Sequence, residues 1–384
     1  MDGKDPIALA RSLSEAPVAR VIESWKTVHP SSKAVGWFPV FSPVELTHAA
    51  GMLPILIAGG GNQIEIAHAD SRFQSFVCSI IKSTLELGLT GELKQLDGMI
   101  FHSICDPAKN LASVFRRNFP DLMVEFIHFP QNLRSIHAED YLAAEYARIR
   151  GRLAELGGCE ITDERIRSSI CAYNAVRARI RQLEQIRLDS PNRLAAAEVA
   201  ALLRAGARMM PEEFVALLDD AMEAVSKRDT KARDRIPVVL EGSFCEQPPL
   251  DLIESIEEAG CSILEDDLQL GLRWFTEDIP ACGDPLRALA HSYTGGSVHS
   301  SVKHDLRYRK AAPLLEKIRR TGAQAVVVLS PKFCEPALFD YALYRPALEE
   351  NNIPHVLLEF EEKMWAFDKI RSELETFVES MMFD

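Results

Sequence analysis

The chain has 384 residues, 47% of them hydrophobic and 26% charged, and carries a net charge of −13. That length exceeds the roughly 250–300 residues at which single cores stop growing, so two or three domains are expected. The acidic balance, with no block of Lys or Arg, excludes an electrostatic nucleic-acid or anionic-membrane surface.

The amino terminus, MDGKDPIALARSLSEAP, has charges and no uninterrupted apolar core, so it reads as neither a secretion signal nor a transit peptide. The longest apolar stretches, such as MLPILIA and QAVVVL, fall far short of the roughly 20 residues a membrane span needs. The expected location is the cytoplasm, where thiols stay reduced. Cys78, Cys105, Cys159, Cys171, Cys245, Cys261, Cys282 and Cys334 include no CxxC pair, so a metal site would have to be assembled from distant cysteines.

Residues 5–28 show helical periodicity divided near Pro17, with Ile7, Ala10 and Leu13 on one face and Val18, Val21, Ile22 and Trp25 on the next. AVGWFPV, 34–40, predicts the first buried strand. In SPVELTHAAGML, Ser42 predicts an N-cap, Pro43 the first helical position and Glu45 a capping box three residues on. LPILIAGGG returns a strand and a glycine turn. SRFQSFVCSIIKSTLELGLTG predicts a helix carrying Cys78, DGMIFHSIC a strand, DPAKNLASVFRRN a helix, and LMVEFIHFP the last strand of this set. Residues 137–235 then form a helical insert of four periodic segments, ended by the charged KRDTKARDR. From IPVVLEG the strand–helix alternation resumes, through QAVVVL and IPHVLLEFE to a terminal helix. The predicted fold class is α/β: two doubly wound parallel-sheet lobes with a helical insert between them, over 1–136, 137–235 and 236–384.

GMIFHSICDPAKNL and AVVVLSPKFCEPALFD share a punctuation: an apolar strand, a polar break, then Cys105-Asp106-Pro107-Ala108 or Cys334-Glu335-Pro336-Ala337. Ligands in open parallel sheets bind beyond the carboxyl ends of the strands, where both cysteines are expected. The acidic residue is expected as N-cap and the proline in the first turn. The helix N-terminus should then lower each thiol toward the metal-binding thiolate. The competing reading is a small buried apolar residue. On residues alone, a soft-metal site between two lobes and a pair of small buried apolar residues stand about even.

With GWFPVFSPVELTHAAGMLPI, FVCS, SICDPAKNL, EDDLQLGLRWF and PKFCEPALFDYALYRPALEENNIPHVLLEFE, the chain resembles the 2-hydroxyacyl-CoA dehydratase and benzoyl-CoA reductase family over nearly its whole length. Within it, EDDLQLGLRWF and the closing EFEEKMWAFDKIRSELETFVESMMF are most similar to the C (gamma) subunits of the ATP-dependent benzoyl-CoA reductases. The resemblance implies a [4Fe–4S] cluster held by Cys78, Cys105 and Cys334, with one iron left for an exogenous ligand. It further implies pairing with a homologous B subunit, a two-subunit ATPase and electron-activating module, ferredoxin as donor, and an acyl-CoA substrate, benzoyl-CoA. No G-x-x-x-x-G-K-[ST] loop occurs, so ATP hydrolysis is expected on a partner. A 2-hydroxyacyl-CoA dehydratase subunit and a non-catalytic relay or scaffold subunit are the alternatives.

Glu45 and His48 are the candidates for protonating or polarising substrate, against roles as a capping-box residue and a plain helix residue. His102 and Ser103 stand beside Cys105 and could equally satisfy backbone in the turn. Asp266 and Asp267 are expected as solvated strand-end or capping acids, with Asp267 and Arg273 the alternative as a buried brace. Cys245 is the rival ligand, placed as supporting or structural; Cys159, Cys171, Cys261 and Cys282 read as inert, and AGGGN, 58–62, as a plain turn.

Overall fold

In the computed structural model, residues 5–229, 234–242, 245–268, 277–298, 300–303 and 310–383 are described. Helices α1 (Pro6–Glu15) and α2 (Val18–Val28) break at Pro17, as its missing N–H requires, and Asp5 caps α1 through Ile7 N. The first lobe runs β1 (Ala34–Trp37), α3 (Val44–Ala49), β2 (Leu53–Leu56), α4 (Ser79–Leu89), β3 (Gly98–His102), α5 (Asp106–Asn118) and β4 (Met123–Ile127). The insert is α6 (Ala138–Gly157), α7 (Asp163–Asp189), α8 (Ala196–Gly206) and α9 (Pro211–Ser226). The second lobe runs β5 (Ile236–Gly242), α10 (Leu250–Glu258), β6 (Cys261–Asp266), α11 (Pro285–Thr294), α12 (Ala311–Thr321), β7 (Ala325–Pro331), α13 (Glu335–Glu350), β8 (His355–Phe360) and α14 (Asp368–Phe383).

Both sheets are four-stranded and all parallel, in the orders β2-β1-β3-β4 and β6-β5-β7-β8. The two lobes therefore have the same topology, and chain direction across each sheet reverses at the same point, between β1 and β3 or β5 and β7. Near-continuous burial of β1, β2, β3 and β7 is what helices on both faces demand. At the end of β5 the backbone comes so close to β7 that a side chain at Gly242 (φ 96°) would collide with the Leu329 carbonyl.

Side-chain packing runs across the three sections. Ile7 and Ala10 of α1 share a core with Leu202 and Leu203 of α8, while Leu289 and Tyr293 of α11 join the core of the first sheet. Among the described residues, no helix is long and apolar enough to cross a membrane.

Two local expectations differ. Ser42 makes no cap: α3 begins after Pro43, and Glu45 is wholly buried and salt-bridged to Arg177 of α7. A tertiary partner has taken the carboxylate that a capping box would use. After a short 3-10 turn over Ala69–Ser71, residues 72–78 are not helical, and α4 starts only at Ser79. The reason lies in the other lobe: Glu246, after β5, accepts from Ser79 Oγ (2.6 Å) and Ile80 N (3.1 Å), capping α4 from outside its own sequence.

Candidate functional site

Three helices begin at a cysteine. Cys78, Cys105 and Cys334 occupy the N-cap positions of α4, α5 and α13, none of them through a side-chain hydrogen bond. Cys105 and Cys334 leave the same strand of each lobe's sheet, beyond its carboxyl end, while Cys78 enters from the segment after β2. Asp106 and Glu335, expected as caps, instead occupy the first helical position with proline behind them, so each cysteine is itself the last non-helical residue.

The three thiols lie close enough for their charges to act on one another. Burial pushes the Cys78 thiol far up, and Glu246, Cys334 and Cys105 add to the rise. Burial raises Cys334 to about 12, against the pull of the Ala337 backbone N–H, with Cys105 among the charges that push it further. Burial likewise raises Cys105 to about 11; the Ala108 N–H opposes it, and Asp106 and Glu335 reinforce it. The expected lowering by the helix N-termini is thus outweighed, because desolvation and acidic neighbours act on the same atoms. The Ile81 N–H likewise opposes the rise at Cys78.

Cys245, reached after β5, is buried against the first lobe's core and its Sγ lies 3.7 Å from the Pro39 carbonyl oxygen. Burial lifts its thiol strongly, and Cys105, Cys334 and Cys78 all contribute, so it adjoins the other three. Cys261 is buried at the start of β6, whereas Cys159, Cys171 and Cys282 are exposed rather than packed.

Among the described residues, no three His, Cys, Asp or Glu side chains converge tightly enough to hold a single metal ion. An iron–sulfur cubane makes a different demand, since its thiolates bind separate corners and must surround a shared space. Cysteines contributed by three helix starts, close enough for their charges to act on one another, suit that demand.

Glu45 and His48 join α3 to the insert. Ser169 Oγ of α7 donates to the Glu45 carbonyl (2.8 Å), so its oxygen accepts from His48 Nδ1–H (2.8 Å). That chain leaves His48 Nε2 toward Glu212 Oε1 at 3.4 Å. Burial lowers the imidazole below its ordinary value, with Glu212 and Glu45 opposing. One Glu45 oxygen meets Arg177; the other is buried without a hydrogen bond among the described residues. His102 Nε2 meets the Phe38 carbonyl at 2.9 Å, and burial lowers its imidazole to about 4, so it donates as a neutral ring. Ser103 Oγ accepts from Phe129 N (2.8 Å). Both thus take the backbone-satisfying role.

Asp266 is buried and Asp267 half-buried rather than solvated. Asp266 meets Arg187 of α7 (2.7 Å), and Asp267 meets Lys310 (2.8 Å), which also reaches Asp340 (3.4 Å). Arg273, the alternative partner of Asp267, lies outside the described residues. AGGGN is more than a turn. Gly59 (φ 82°) leaves room for the Glu362 carboxyl, on which Gly61 N closes at 3.3 Å. Sequence reasoning missed Glu246 and Glu362 because each acts on a segment more than 150 residues away.

Residues 39–381 match the family model described as 2-hydroxyglutaryl-CoA dehydratase, D-component. The chain is 36% identical to the C subunit of benzoyl-CoA reductase from Thauera aromatica over 382 residues, 99% of each chain. It is 29% identical to the beta subunit of lactoyl-CoA dehydratase from Anaerotignum propionicum over 91% of each. It is 28% identical to the beta subunit of (R)-2-hydroxyglutaryl-CoA dehydratase from Acidaminococcus fermentans, over 91% of this chain and 92% of that one. The end-to-end match, on a fold with two equivalent cysteine turns, places the chain in the 2-hydroxyacyl-CoA dehydratase and benzoyl-CoA reductase family.

Proposed function

We propose that the chain is the iron–sulfur subunit of an ATP-dependent, ferredoxin-using benzoyl-CoA reductase. That enzyme dearomatises benzoyl-CoA to cyclohexa-1,5-diene-1-carbonyl-CoA in anaerobic aromatic degradation. The observation that carries this reading is full-length similarity to the C subunit of a benzoyl-CoA reductase. Cys78, Cys105 and Cys334 are the residues that would hold a [4Fe–4S] cluster, which when bound supplies low-potential single electrons.

The chain's own part is positioning and proton control. The N–H groups of Ile81, Ala108 and Ala337 favour the charged form of the three thiols and Glu246 fixes the start of α4, which supports a ligand set held in place before loading. Glu45 and His48 are proposed for protonating or polarising the substrate, with the unbonded Glu45 oxygen as the acceptor available for a proton. A homologous B subunit completes the reductase, and a two-subunit module hydrolyses ATP and passes on ferredoxin electrons.

The complex purified under strict anoxia should contain iron and acid-labile sulfide and consume benzoyl-CoA with stoichiometric reduced ferredoxin and ATP. Dehydration of a hydroxyacyl-CoA after only catalytic reduction would replace this reading with the dehydratase one, which the relatives at 29% and 28% favour. Acyl-CoA found only against the partner subunit would leave this chain the electron-relay role.

A further inference from the structure

A cavity of about 620 Å³ lies between the end of α1, the Gly59–Gly61 turn, α8 and the loop before α10. Two guanidiniums, Arg204 and Arg208, stand one helical turn apart on its wall. Arg204 donates through Nη2 to the Pro248 carbonyl, and its buried Nε has no partner. Arg208 donates through Nη1 to Ala16 O (2.8 Å) and Leu13 O (3.4 Å), closing the end of α1. Neither has a carboxylate at salt-bridge distance among the described residues. Burial lowers both below the usual arginine range, to about 10, and Arg208 adds its own repulsion to Arg204.

The acids nearby offset this charge only in part, through Glu15 acting on Arg204. Arg11 takes up Glu15 (3.5 Å) and Asp251 (3.0 Å). Glu362 is folded into the glycine turn, where burial and Glu246 push its carboxyl up to about 8. Of the four acids on the wall, only Glu92 is left without a partner among the described residues. Two confined, mutually repelling cations with spare donors are expensive unless an anion joins them. The volume suits a nucleotide-sized ligand, and Trp365, 70% exposed at the rim, offers a flat face for a base.

We propose that this cavity is an anion site for the phosphate groups of a nucleotide-sized ligand, with Arg204 and Arg208 as its phosphate-binding wall. The shared chemistry is an adenosine phosphate, from either the handle of coenzyme A or a free nucleotide. The site is separate from the thiols: a chain without iron should still bind.

Calorimetric titration of the full-length chain with coenzyme A, ADP and inorganic pyrophosphate tests it. Saturable binding of coenzyme A or ADP, displaced by pyrophosphate, is expected. Arg204→Gln should weaken it about tenfold or more, since charge-assisted donors to phosphate are lost. Gln63→Glu, isosteric and exposed on the cavity wall, should weaken it with both arginines in place. Preference for coenzyme A identifies the thioester handle as the source, preference for ADP a free nucleotide; either supports the site. No saturation by any probe up to about 1 mM, or unchanged binding in both folded variants, overturns it.

Discussion

β3 of the first lobe and β7 of the second each run into a cysteine at the N-cap position of the next helix, but their surroundings are unlike. The first strand end is served by neutral groups, His102 on the Phe38 carbonyl and Ser103 under the Phe129 N–H. The second stands over charge: Lys310 with Asp267 and Asp340, and Lys317 with Glu241 (2.5 Å). The turn before Cys105 is relaxed, whereas Phe333, before Cys334, adopts a left-handed φ of 63°. Shared topology fixes where the thiol emerges, and the support beneath it differs between the lobes.

The largest test of that equivalence is loss of either thiol. Cys105→Ser and Cys334→Ser should each lose the bound iron and the activity while remaining folded; undiminished iron in anaerobically purified variants would remove both from the ligand set. Exposed Cys159→Ser should keep both. Next comes the charged support. Lys310→Met leaves Asp267 and Asp340 without their shared cation and should cost about 3–5 kcal/mol by denaturant unfolding. In the first lobe, His102→Leu forfeits one buried hydrogen bond, a loss of about 1–3 kcal/mol.

The same histidine sets a pH limb. Its folded value, about 4, lies below the ordinary 6.5, so the neutral ring contributes stability above pH 6.5 that is lost as pH falls toward 4. Stability curves of wild type and His102→Leu should therefore converge on acidification. Smallest is the strained turn: Phe333→Gly should stabilise by about 1 kcal/mol, because glycine accepts a left-handed φ without a Cβ clash. A loss instead would mean that the Phe333 ring under Lys332 (5.4 Å) matters more than the backbone.

The alternation of apolar runs with capped periodic segments was enough to predict parallel sheets and the break at Pro17, since both follow from neighbours in sequence. The matched turns at Cys105 and Cys334 were legible for the same reason. What escaped were long-range polar contacts: Glu45 looked like a cap because Arg177 is 132 residues away, and the start of α4 was misplaced because its capping acid comes from the second lobe. The acids at the end of β6 looked solvated because their cations, Arg187 and Lys310, lie elsewhere in the chain. A carboxylate's partner is invisible to periodicity, which reports only the apolar face.

Glu246 has a mechanical consequence. Its carboxylate takes Ser79 Oγ and Ile80 N from the first lobe and the Glu362 N–H (2.8 Å) from the segment after β8. Prying the halves apart must strip that carboxylate and loosen the helix start beneath Cys78 in one stroke. The seam between the lobes is therefore fastened at the helix start that Cys78 precedes, and separation of the lobes should bring loss of any bound cofactor with it rather than after it.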